Sequence, residues 1–149
     1  MKKSQRLAPV LHLEEMKEQA AIKKYTAMRE QLSQETDKLQ QLIEYSQEYQ
    51  LMVQEEGRTG ISGERLQSYH HFLNRLATAV SQQQLQVNLV KQQLQETEKQ
   101  WLKQRGAAKN MDSLVARYAA SERLAADKRE QREQDENVQR GYKSSALIR

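Results

Sequence analysis

The chain has 149 residues, 30% of them charged and only 5% aromatic, with five Gly, one Pro and no Cys. That length suits about one domain, but so polar a chain cannot build a broad core, and without cysteine it has no disulfide framework or thiolate metal site. The net charge of +4 is uneven, with 8 Lys and Arg against 10 Asp and Glu over residues 1–56, 8 against 3 over 57–110, and 8 against 7 over 111–149.

A composition dominated by Ala, Glu, Lys, Leu, Gln and Arg points to an all-α protein, with long helices packed along a narrow seam. The N-terminus, MKKSQRLAPVLHLEEMKE, starts basic, but Glu14 and Glu15 interrupt any continuous apolar stretch. No run approaches ~18 apolar residues, so no membrane span is expected. The expectation is a soluble, cytoplasmic protein.

The first helix is expected over about 8–56. Its heptad positions read Leu11, Glu18, Tyr25, Leu32, Leu39, Ser46 and Val53, with Leu7, Glu14, Ala21, Met28, Glu35, Leu42 and Tyr49 at the other seam position. Glu14 and Glu18 weaken the early part of that seam, so pairing is expected to loosen there.

Residues 57–63, GRTGISG, hold three of the five glycines. Gly57 and Gly60 can end a helix with positive φ, Ser62 suits an N-cap, and Glu64 suits the first turn of the next helix. A connection this short makes neighbouring helices antiparallel.

The second helix is expected over about 64–138. Residues seven apart read Leu66, Leu73, Val80, Val87, Leu94, Trp101, Ala108 and Val115, partnered by Tyr69, Leu76, Gln83, Val90, Thr97, Gln104, Met111 and Tyr118. Folding at the glycines sets Val53 by Leu66, Leu39 by Val80 and Leu32 by Val87. It also sets Glu35 by Gln83, a polar layer that fixes register at some cost in stability. The expected architecture is an antiparallel two-helix coiled-coil hairpin. At ~1.5 Å per residue the second helix would be about 110 Å long and the first about 70 Å, so the second must overhang. Gly106 falls near the start of that overhang, as a tolerated glycine or a bend. Beyond it, DKREQREQDENVQR is charged on nearly every side, and residues 141–149 read as a flexible tail.

Two apolar stripes exceed what the seam needs. In SYHHFLNRLATAV, residues Leu73, Leu76 and Val80 make the seam, while Phe72, Leu76 and Ala79 make a second stripe that continues to Gln83. On the first helix Leu42, Tyr45 and Tyr49 run at i, i+3, i+7. In the antiparallel register both stripes lie at one height, as a thickened seam or as an exposed patch for docking another protein; we favour docking.

Catalysis finds little support. His70 and His71 are adjacent and diverge by about 100° on a helix, so they do not converge on one metal. The glycines of GRTGISG lack the spacing and Gly-Lys-Ser/Thr ending of a phosphate loop. No enzyme activity and no cofactor are expected. Nucleic-acid binding needs clustered Lys and Arg, and the neutral face of Gln82, Gln86, Gln93 and Gln100 argues against it.

The length, the LIEYSQEY segment (Leu42 to Tyr49), the glycine break, the YHHFLNRLATAV segment and the Trp101-centred second helix together resemble the FliJ family of the bacterial flagellar type III export apparatus. The resemblance implies a non-enzymatic stalk and adaptor, similar to the γ subunit stalk of rotary ATPases. It would link the ring of the export ATPase FliI to the cytoplasmic domain of the export gate FlhA and help cycle flagellar export chaperones. Any Mg²⁺-ATP would belong to the ATPase, and the chain would reach the inner membrane's cytoplasmic face only through partners. The family's gate-binding surface carries over to Leu42, Tyr45, Tyr49, Phe72, Leu76, Ala79 and Gln83. Lys38 and Gln83 depart from the residues other members carry there. The paired residues near 7–25 and 94–120 would face the ATPase ring. The stalk of a virulence type III secretion system would share the hairpin but lack the LIEYSQEY patch.

Overall fold

The computed structural model describes residues 1–147. It contains two helices, α1 (Lys3–Thr59) and α2 (Gly63–Leu147), packed against each other. The fold is all-α, a helical hairpin whose second helix is the longer. The chain divides into two compact units, Ala20–Leu102, and Met1–Gln19 with Lys103–Arg149.

The break between the helices is shorter than the seven residues of the glycine-rich stretch. Only residues 60–62 leave the helical conformation, because Gly60 alone takes a left-handed φ of 99° while Gly57 stays inside α1. Thr59 closes the last turn by donating its hydroxyl to the Glu56 carbonyl at 3.0 Å. Ser62 opens α2: its Oγ accepts the Arg65 amide at 3.3 Å and its carbonyl accepts the Leu66 amide at 3.0 Å. This satisfies donors that a helix start otherwise leaves open.

Within the unit Ala20–Leu102 the segments of α1 and α2 run antiparallel. The core is thin: Leu39, Val53, Leu76, Val87 and Val90 are buried, and Val90 alone is fully enclosed. Burying such a side chain stabilises by roughly 1.5–3 kcal/mol relative to leaving it exposed. All the seam residues here are buried or half-buried except Leu66, which lies in the first turn of α2 and is 37% exposed. The expected polar layer is present. Gln83 donates its side-chain amide to the Glu35 carbonyl at 2.9 Å and to the Glu35 carboxylate at 2.5 Å. Lys38 lies 3.7 Å from the same carboxylate. Sliding by one heptad would set that carboxylate against an apolar residue, so the layer pins the register. Tyr25 and Trp101 stack with ring centroids 5.5 Å apart. Their seam positions are offset, but each side chain leans toward its own helix N-terminus, so the two rings meet between them.

In the unit formed by Met1–Gln19 and Lys103–Arg149, Ala108 is the one buried apolar residue among those described. Half-buried Leu7, Leu11, Val115 and Tyr118 line the seam here, and polar ties cross it. Glu14, at a seam position, accepts the Gln104 side-chain amide at 2.5 Å and has Lys17 at 3.5 Å. This repeats the Glu35–Gln83–Lys38 arrangement 21 residues, or three heptads, away on each helix. Glu122 of α2 accepts both the Ser4 amide at 3.1 Å and the Ser4 hydroxyl at 2.5 Å, capping the first turn of α1 from the other helix. That cap explains why α1 begins at Lys3, although Pro9 removes an amide donor inside it. Those two bonds hold the Glu122 carboxyl below its ordinary value, chiefly through the Ser4 hydroxyl and against the opposing effect of burial.

Beyond Glu122 the described side chains of α2 are exposed. The helix nevertheless continues unbroken through Gly106 and Gly141 to Leu147. The charged stretch after residue 126 is rich in good helix formers and contains no Pro. Residues 141–147 of the expected tail are thus helical, and residues 148 and 149 lie outside the described residues.

Candidate functional site

The heptad pattern commits one stripe of each helix to the seam, and the aromatic residues beside it stand partly outside. On α1, Tyr49 occupies the seam and Tyr45 a flank one turn earlier. On α2, Tyr69 and Leu76 occupy the seam and Phe72 a flank between them. The antiparallel register brings all of these to one level.

There they form a continuous aromatic cluster. Phe72 packs on Tyr49 with ring centroids 4.6 Å apart and meets Tyr45 edge-on at 6.3 Å. Tyr49 in turn meets Tyr69 edge-on at 5.7 Å. Each such pair contributes roughly 0.5–1.5 kcal/mol beyond the area buried. The cluster is only partly hidden: Tyr45 is 49% exposed, while Leu42, Tyr49, Phe72, Ala79 and Gln83 are half-buried. Leu76 differs. It is 7% exposed and lies beneath the flanking stripe as a seam residue.

Two open grooves adjoin the cluster. One, of about 430 Å³, is lined by Lys38, Gln41, Leu42, Tyr45 and Gln83 and crosses from α1 to α2. The other, of about 290 Å³, lies along α2 between His71 and Gln82 and includes Arg75 and Ala79. The structure therefore brings Leu42, Tyr45, Tyr49, Phe72, Ala79 and Gln83 onto one face above Leu76. Gln83 already spends its amide on Glu35, which leaves its carbonyl oxygen for a partner.

Tyr69 belongs to this cluster and heptad counting marks it only as a seam residue. Its hydroxyl donates to the Glu56 carboxylate, near the end of α1, and accepts the Arg65 Nε–H at 3.0 Å. The bond to Glu56, with burial adding to it, raises the Tyr69 phenol above its ordinary value of 10.0, and Arg65 opposes the shift. No local sequence pattern reveals this contact, since Glu56 and Tyr69 face each other only once the turn has closed.

Among the described residues no group of His, Asp and Glu is arranged to hold a metal ion. Among the same residues no helix is long and apolar enough to cross a membrane.

Comparison with known proteins yields a family match over nearly the whole chain. The family model described as "Flagellar FliJ protein" matches residues 2–147. The flagellar FliJ protein of Salmonella typhi is 28% identical over 113 residues, covering 76% of this chain and 77% of the relative. That of Escherichia coli K12 is 26% identical over 134 residues, covering 90% and 91%. No solved structure matches.

Proposed function

The chain belongs to the flagellar FliJ family and is a component of the flagellar export apparatus, and on that premise we propose that it acts there as a non-enzymatic adaptor. Its aromatic face docks on the cytoplasmic domain of the export gate FlhA. The residues near 7–25 and 94–120 engage the ring of the export ATPase FliI, and the chain helps cycle export chaperones. ATP hydrolysis belongs to the ATPase. The chain meets the inner membrane's cytoplasmic face only through these partners.

The observation that carries the docking part is the Tyr45–Phe72–Tyr49 cluster. Phe72 meets Tyr45 and packs on the seam residue Tyr49 across the two helices, and the flanking rings of Tyr45 and Phe72 remain reachable by a partner. Large aromatic side chains with polar residues around them are the usual anchors of binding energy in protein interfaces. A paired helical segment suits the role because it presents such a face rigidly, at little further ordering cost on binding.

The test is the affinity of the full chain for the purified FlhA cytoplasmic domain. Phe72→Ala and Tyr45→Ala should each weaken it by about tenfold or more, the range of interface anchors, with helix content by circular dichroism unchanged. If Phe72→Ala instead unfolds the hairpin, Phe72 is core and the docking assignment is wrong.

A further inference from the structure

We infer that Tyr69 is a positioning residue for the docking face, held in place by a clamp that closes across the turn between the two helices. This rests on the docking role proposed above. The clamp consists of Glu56 in the final turns of α1, and Arg65 and Tyr69 in the opening turns of α2. Glu56 accepts the Tyr69 hydroxyl, Arg65 donates to that hydroxyl at 3.0 Å, and the Arg65 Nε also lies 4.0 Å from the Glu56 carboxylate. The Arg65 guanidinium further sits 5.8 Å from the centre of the Tyr69 ring.

A phenol tied at its hydroxyl by both an anion and a cation has the tip of its ring held in place, because charge-assisted hydrogen bonds are directional and stronger than neutral ones. The ring so held is the one that meets Tyr49 edge-on, and Tyr49 is the ring against which Phe72 packs. Orientation therefore passes from Glu56 and Arg65 through Tyr69 to Tyr49 and Phe72, ending at the half-exposed Tyr45. Two features set this contact apart from ordinary seam packing. Tyr69 could fill its seam position through its ring alone, as a phenylalanine would. The hydroxyl contributes nothing to that packing but makes both hydrogen bonds of the clamp. A loose Tyr69 would let Tyr49 and Phe72 sample other rotamers, and a partner would then lose affinity in selecting the competent one.

The experiment separates the hydroxyl from the ring. Tyr69→Phe keeps the seam packing and opens the clamp, whereas Glu56→Gln keeps an oxygen to accept the hydroxyl. In the full chain, Tyr69→Phe, which gives up both hydrogen bonds of the hydroxyl, should weaken binding of the FlhA cytoplasmic domain about fivefold, the cost of ordering a loosened side chain on binding, with helix content by circular dichroism unchanged. Glu56→Gln, which keeps an acceptor but loses its charge, should fall between Tyr69→Phe and the unaltered protein. In the free chain, Tyr69→Phe should also shift the ring proton resonances of Tyr49 and Phe72, a readout that needs no partner. Unaltered binding by Tyr69→Phe, in a series where Phe72→Ala does weaken it, overturns the inference. If Phe72→Ala binds normally too, the docking role has failed, and the ring resonances decide alone: shifted, they uphold the clamp; unshifted, they overturn it.

Discussion

The segment Ala20–Leu102 and the pairing of Met1–Gln19 with Lys103–Arg149 use the same polar device with different amounts of apolar support. Each has a Glu of α1 bonded by a Gln of α2, with a Lys three residues beyond the Glu. The first adds five buried aliphatic residues and a run of touching aromatic rings. The second adds only Ala108 as a buried apolar residue, with Lys3 over the Tyr118 ring and the Ser4–Glu122 cap at its end. The difference shows that heptad geometry alone does not set stability. Polar layers choose the register, while buried apolar area decides how firmly it is kept.

That contrast yields an order of effects. Leu39→Ala, in the apolar segment, should cost about 2–3 kcal/mol in thermal or urea unfolding. The half-buried Leu11→Ala, in the other unit, should cost about 1 kcal/mol. Equal losses would dissolve the distinction. Next come the polar layers. Gln83→Leu strands the Glu35 carboxylate with only Lys38 beside it and should cost about 1–2 kcal/mol. Gln104→Leu does the same to Glu14, but should register mainly as faster amide exchange in residues 4–19, since local opening there requires little apolar exposure.

Gly106→Ala should stabilise by up to ~1 kcal/mol, because the helix is unbroken there and an added Cβ meets nothing within 4 Å. A loss on that substitution would mean that α2 needs the glycine for a bend. The smallest effect concerns pH. The carboxyl of Glu122 is held below its ordinary value of 4.5, mainly by the Ser4 hydroxyl. Its contribution is therefore fully present above the unfolded value and fades as pH falls through the lowered one. Amide exchange in the first turns of α1 should accelerate in that acid window, and Glu122→Gln should remove the dependence.

Much of this was legible in the sequence because the period of a helix is regular. The seam lists on both sides of the glycines describe the packed faces, and the Glu35–Gln83 layer followed from counting back from the turn. The ends were harder to read. The first helix was expected from about residue 8, whereas a carboxylate 118 positions away in sequence from Ser4 extends α1 to Lys3. The glycines marked the turn but not its size, because a glycine can also remain helical, as Gly57 does. The leftover aromatic stripe was visible as an excess over the heptad, and the structure places its members together. Tyr69 was legible only as a seam residue, since its clamp partners gather only through tertiary folding.

Amide exchange of the full chain, alone and with the FlhA cytoplasmic domain, tests the central claim most directly. The account predicts added protection confined to residues 38–49 and 68–83, carrying the aromatic face, with residues 4–19 unaffected by this partner. Protection confined to 4–19 and 103–122, or none anywhere despite binding, would contradict it.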